Sequence, residues 1–126
     1  MTAAAGRRGA TLLVVEDEPI VRMVASDHLR DADYIVLEAG SALEALAMLE
    51  HHGPIALVFT DIDMPGPIDG LGLQRIVGQR WPDIAVLITS GLHGPTGPDA
   101  SPFLAKPYDL SKLVRLVEAL LRSAHA

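Results

Sequence analysis

Residues Ile55–Phe59 are apolar without a break, and Thr60 and Asp61 follow directly. The run is too short for an amphipathic helix and leaves no polar side for water. It fits a strand buried on both faces, as in a parallel sheet with helices packed above and below. That requirement constrains the chain more than any other stretch, because parallel neighbours need crossover connections and two covering layers. Asp61 marks the point where the strand leaves the core, and Met64-Pro65-Gly66 turns the chain away. In open parallel sheets ligands bind beyond the carboxyl ends of the strands, so Asp61 stands on the rim where chemistry is expected.

The remaining segments supply the layers. Met1–Gly9 is small, polar and basic, and is expected to be a flexible tail preceding one domain over Ala10–Ala126. Thr11–Val15 predicts a first buried strand that ends in Glu16-Asp17-Glu18. Pro19 suits the first turn of a helix whose inward stripe is expected to be Ile20, Met23, Val24 and Leu29. Tyr34–Leu37 predicts a second strand. Ser41-Ala-Leu-Glu44 has a capping-box pattern and opens a helix with Leu43, Leu46, Ala47 and Leu49 expected on its inner side. After the Asp61 strand come a helix over Leu71–Gln79, a strand over Ile84–Thr89 and a short strand over Phe103–Ala105. Asp109 is expected to cap a final helix with the stripe Leu110, Leu113, Val114, Val117, Leu120 and Leu121. Strand and helix alternate throughout, which predicts a doubly wound α/β domain with right-handed crossovers. Ser90–Pro102 breaks the rhythm, since three glycines and three prolines stand where a helix is due; a loop is expected there.

Composition narrows the function. A chain of 126 residues that is 49% apolar can bury a single core. A net charge of −6 argues against direct nucleic-acid binding through a basic face. The absence of cysteine excludes disulfides, thiolate metal sites and thiol nucleophiles. No apolar run reaches membrane-spanning length, so a cytoplasmic protein without membrane contact is expected. The five histidines lack a metal-ligand spacing and are expected on exposed helix ends.

A doubly wound sheet brings the ends of strands one, three, four and five to one rim. Glu16, Asp17, Asp61, Thr89 and Lys106 then meet. Converging carboxylates repel, and at least one pKa rises unless a cation sits among them. A hard divalent ion with oxygen ligands resolves the conflict, and Mg²⁺ favours sites shared with a phosphate. Thr89 and Lys106 offer a hydroxyl and a cation suited to phosphoryl oxygens, and aspartate is a known covalent acceptor of phosphate.

Four motifs in order, Val15-Glu-Asp-Glu18, Phe59-Thr-Asp-Ile-Asp-Met-Pro-Gly66, Leu87-Ile-Thr-Ser90 and Phe103-Leu-Ala-Lys-Pro107, resemble the receiver domains of two-component response regulators. The resemblance extends over Ala10–Ser123. It implies a flavodoxin-like five-stranded parallel sheet in the order 2-1-3-4-5, here with the fourth helix shortened or replaced by a loop. It implies that Asp61 accepts a phosphoryl group from a sensor histidine kinase or phosphotransfer protein. Asp17 and Asp61 would ligate Mg²⁺ directly, Asp63 through its backbone carbonyl and Glu16 through water. Thr89 would bond the arriving phosphoryl group and Lys106 would pair with it, Pro107 would follow a cis peptide bond, and Phe103 would be the aromatic that swings inward on activation.

The chain would then be no enzyme toward external substrates but a switch for an unknown downstream protein, acting as a monomer or weak dimer. Glu16 stands where the family more often has aspartate, and Ser90 beside Thr89 is a second candidate hydroxyl. Two other classes remain open. Asp61-Ile-Asp63 also resembles the acid pair of haloacid-dehalogenase-like phosphatases, although that pair belongs on a first strand. A degenerate receiver used only as an interaction scaffold would lose some of these site residues.

Overall fold

The computed structural model of the chain describes residues 9–91 and 102–123. Its elements are β1 (Thr11–Val15), α1 (Pro19–Asp31), β2 (Ile35–Ala39), α2 (Ala42–His51), β3 (Leu57–Asp61), α3 (Gly70–Arg80), β4 (Ala85–Ser90), β5 (Phe103–Ala105) and α4 (Leu110–Ser123). The strands form one parallel sheet in the order β2-β1-β3-β4-β5, the flavodoxin-like arrangement expected. The tail over 1–8 and the Gly/Pro-rich segment over 92–101, with its expected loss of a helix, lie outside the described residues.

Strand alternation divides the core between the two faces of the sheet. Leu12, Val14, Leu57, Phe59 and Leu87 point toward α1 and α4, where they meet Ala25, Leu29, Leu113, Val117 and Leu121. Leu13, Val15 and Val58 point the other way, against Ala42, Ala45 and Leu49 of α2 and Leu73 and Val77 of α3. Every residue of β3 is buried, as an unbroken apolar strand in the centre of such a sheet requires.

Local chemistry sets the helix ends. The Ser41 side chain accepts from the Glu44 amide at 3.1 Å, and the Glu44 carboxylate reaches back to the amide of Gly40 at 3.0 Å. Asp69 accepts from the Gly72 amide at 2.9 Å to start α3, and Asp109 accepts from the Ser111 amide at 2.7 Å to start α4. Gly66, with φ of 112°, carries the left-handed turn after Pro65.

Two inward stripes differ from expectation. In α1 the buried residues are Ala25, Ser26 and Leu29, while Ile20 is 72% exposed and Met23 and Val24 face outward with it. At 3.6 residues per turn Leu29 lies about half a turn from Ile20, so the two cannot share a face. In α2 the inner side is Ala42, Ala45 and Leu49, with Leu46 half-buried; Leu43 and Ala47 are exposed. Both helices approach the sheet on small residues. In α1 that leaves several large apolar side chains on the surface. The stripe of α4 holds, with Leu113, Val117 and Leu121 buried.

Candidate functional site

The end of β1 delivers Glu16 and Asp17 into a turn that is held from several sides. Glu16 Oε2 accepts from the Glu18 amide at 3.1 Å, and the Glu16 carbonyl accepts from Arg22 Nη1 at 2.8 Å. Arg22 is fixed in turn by Glu38 on β2, with Nε to Oε1 at 3.3 Å, and Arg30 reaches the other oxygen of Glu38 at 3.0 Å. A stripe-based reading leaves Arg22 on the outer side of α1. Its role depends on a partner sixteen residues further along the chain, which only the β1–β2 pairing brings close.

Asp61 ends β3 and is 5% exposed. Its Oδ1 accepts from the Asp63 amide at 3.1 Å and its Oδ2 from Lys106 Nζ at 2.9 Å. The same Nζ lies 3.1 Å from Glu16 Oε1, so one ammonium stands between two buried carboxylates. Lys106 follows β5 and is anchored by its amide, which donates to the Ser90 carbonyl at 3.1 Å; the Lys106–Pro107 peptide bond is cis. Burial, opposed by the Glu18 amide and Lys106, pushes the Glu16 carboxyl above the ordinary range, and the negative charge of Asp61 adds to that rise. Burial pulls the Lys106 ammonium down, yet its hydrogen bonds to Asp61 and Glu16 more than offset this and its pKa is raised.

Glu16, Asp17 and Asp61 each offer a carboxylate oxygen, and these oxygens lie within 4.8 Å of one another. Three hard oxygen donors at that spacing suit a divalent cation, and Lys106 already partly neutralises two of them. The donor set therefore fits the ion expected for this rim.

Thr89 and Ser90, the two candidate hydroxyls, are placed differently. β4 extends one residue further than expected, to Ser90. Thr89 sits beside Asp61 in the β3–β4 ladder, but its hydroxyl is taken up by the carbonyl of Leu104 on β5. The hydroxyl that joins the acidic cluster is that of Ser90, which donates to Asp63 Oδ2. The sequence signal available for Ser90 was its place as the last side chain before Gly91. Asp63 itself is tied to the site by its amide on Asp61 and by its carboxylate on Ser90.

Phe103 is half-buried on β5, level with Ile88. A second aromatic, Tyr108, stands in no sequence pattern that marks it. Its ring packs edge-to-face on Phe59, with centroids 5.7 Å apart and planes at 75°, and burial raises the pKa of its hydroxyl.

A family profile described as "Response regulator receiver domain" matches residues 12–118. The chain is 36% identical over 119 residues to the sensor kinase CckA of Brucella abortus, covering 89% of this chain and 12% of that kinase. Among solved structures, a response regulator receiver protein from Sinorhizobium medicae superposes with a TM-score of 0.83 at 30% identity, covering 92% of this chain and 97% of the other. The response regulator TrrA of Thermotoga maritima, solved in complex with Mg(2+)-BeF, superposes with a TM-score of 0.79 at 26% identity, covering 88% of this chain and 98% of that one. The chain thus spans a small part of the curated kinase and nearly the whole of the solved receivers. Among the described residues no helix is long and apolar enough to cross a membrane.

Proposed function

The chain belongs to the response regulator receiver domain family, and on that footing we propose that Asp61 accepts a phosphoryl group from the phosphohistidine of a kinase or phosphotransfer protein. One observation carries the reading: the Asp61 carboxylate is buried at a strand end, held by Lys106, and joined there by Glu16 and Asp17. In the reaction an Asp61 oxygen attacks phosphorus, the P–N bond of the donor breaks, and its electron pair stays on the imidazole. The product is an acyl phosphate. Lys106 neutralises charge on the phosphoryl oxygens, and the Asp63 amide keeps the carboxylate oriented. Mg²⁺, held by Asp17 and Asp61 with Glu16 near, would supply further charge neutralisation when bound. Its presence in the Thermotoga relative supports that choice.

Partner docking has a place beside the site. An open groove of about 600 Å³ is lined by Ile20, Val24, Lys106, Pro107, Tyr108 and Leu110. Exposed apolar side chains next to a reacting group suit a protein donor that must dock before transfer. The phosphatase reading has less support, because Asp61 lies on the third strand of the chain and Asp63 is bonded to Ser90. A module of this kind would act in the cytoplasm and modify only itself.

Incubation with acetyl phosphate and Mg²⁺, followed by intact-mass measurement, tests the proposal. One phosphoryl increment that needs Mg²⁺ is expected. Steady hydrolysis of phosphomonoesters without an adduct points instead to a phosphatase, and no reaction at all points to a scaffold.

The hydroxyls should separate in the same assay. Ser90→Ala is expected to take up phosphate but to lose the spectral change that follows uptake, because no hydroxyl then moves from Asp63 to the phosphoryl group. Thr89→Ala should keep that change and lose only the bond to Leu104, worth about 1 kcal/mol of stability in urea unfolding. The reverse pattern would return the role to Thr89.

A further inference from the structure

We infer that Gly70 is a positioning residue for Asp61, and that its missing side chain sets where the acceptor carboxylate stands. The inference rests on the phosphoacceptor reading. A Cβ built on Gly70 would fall 2.1 Å from the Asp61 carbonyl oxygen, 2.7 Å from Ile62 Cα and 2.8 Å from the Asp61 carbonyl carbon. These are backbone atoms of the acceptor strand and cannot rotate aside. Ordinary contact begins near 3.4 Å, so a side chain here must drive α3 and the end of β3 apart by more than an ångström.

The close approach is also bonded. The Gly70 amide donates to the Ile62 carbonyl at 3.0 Å, and the Ile62 amide donates to the Thr89 carbonyl at 2.9 Å. The first residue of α3 is therefore tied to the main chain one residue beyond Asp61, and through it to β4. The backbone of Gly70 needs no left-handed conformation; what excludes a side chain is the proximity of Asp61. No other glycine whose surroundings are described meets backbone so closely. The nearest neighbour of Gly72 is a side-chain methyl, Ile68 Cγ2 at 2.9 Å, and Gly78, on the same helix, meets nothing within 4 Å.

Carboxylate position matters here because three acids must converge on one ion and Asp61 must also face an in-line donor. A misplacement of an ångström costs on the order of a hundredfold where reacting groups have to align. Gly70 touches neither ion nor donor and acts only by placing the Asp61 main chain.

The test compares Gly70→Ala, Gly78→Ala and Leu73→Ala with the wild type. Leu73 is fully buried on α3 among apolar side chains, so its truncation loosens the same helix without adding an atom against Asp61. Mg²⁺ affinity by calorimetry and the rate of acetyl-phosphate uptake are read beside the unfolding midpoint. Gly70→Ala should weaken Mg²⁺ binding and slow uptake by about tenfold or more. Gly78→Ala should keep the wild-type Mg²⁺ affinity and uptake rate, and Leu73→Ala should lose stability while keeping its Mg²⁺ affinity. Wild-type affinity and rate in Gly70→Ala overturn the inference, as does an equal loss in Leu73→Ala.

If Gly70→Ala does not fold, amide NMR of the wild type decides. Mg²⁺ addition should shift the Gly70 amide resonance strongly and leave that of Gly78 in place, and an unmoved Gly70 amide overturns the inference. Failure of the wild type itself to bind Mg²⁺ or take up phosphate overturns the underlying phosphoacceptor reading instead.

Discussion

Asp61→Asn is expected to abolish the covalent phosphoryl adduct while leaving the fold intact. The amide is nearly the shape of the carboxylate, so packing at the end of β3 is unchanged and Lys106 still has Glu16 at 3.1 Å. What disappears is the nucleophile, since an amide oxygen does not form a stable acyl phosphate, together with one of the three acids that converge there. Intact mass after exposure to acetyl phosphate and Mg²⁺ should show the unmodified chain alone, where the wild type shows an increment. An adduct at wild-type level in the variant would move the acceptor to another residue. The nearest other carboxylates are Glu16, Asp17 and Asp63, and each has a different place in the cluster.

Lys106→Met should produce the second large effect, on stability and not only on signalling. The substitution leaves Glu16 and Asp61 buried side by side without the ammonium between them. Breaking a buried pair by removing one partner costs about 3–5 kcal/mol; Lys106 is partly open to solvent, which brings the expectation to about 2–3 kcal/mol at neutral pH. The loss should depend on pH. Burial already holds the Glu16 carboxyl above its ordinary range, and removal of the lysine raises it further. A carboxyl raised in the folded state contributes stability that is fully present below its unfolded pKa, about 4.3, and is lost as pH rises through the folded value. The gap between variant and wild type should therefore be widest at neutral pH and close as pH falls toward that unfolded value. Added Mg²⁺ should narrow it at neutral pH. Urea unfolding at several pH values reads both effects, and a gap of constant size would show that Lys106 does not neutralise these acids.

Much of this was legible in the chain because it depended on local pattern. The unbroken run Ile55–Phe59 required a central strand covered on both faces, and β3 has every residue buried. Acids placed at the ends of β1 and β3 had to meet once those strands were parallel neighbours, and their oxygens do. What could not be read depended on distances across the fold. The hydroxyl of Thr89 is claimed by Leu104 because the β4–β5 ladder places that carbonyl beside it, and β4 continues to Ser90. Ile20, Met23 and Val24 resemble a core stripe, yet α1 packs through Ala25, Ser26 and Leu29, half a turn away. Arg22 and Tyr108 gain their places from Glu38 and Phe59, far from them in sequence. Gly70 reads as one glycine in a Gly-rich stretch until the backbone of Asp61 is found against it.

The most direct measurement is chemical mapping of the modified residue. The chain is loaded with acetyl phosphate and Mg²⁺, the acyl phosphate is trapped by hydride reduction, and the peptides are sequenced by mass spectrometry. Homoserine at position 61 and nowhere else is the predicted result, with no homoserine in the sample prepared without Mg²⁺. Homoserine at another aspartate, or phosphate retained on a histidine or serine with position 61 unchanged, would contradict Asp61 as the acceptor.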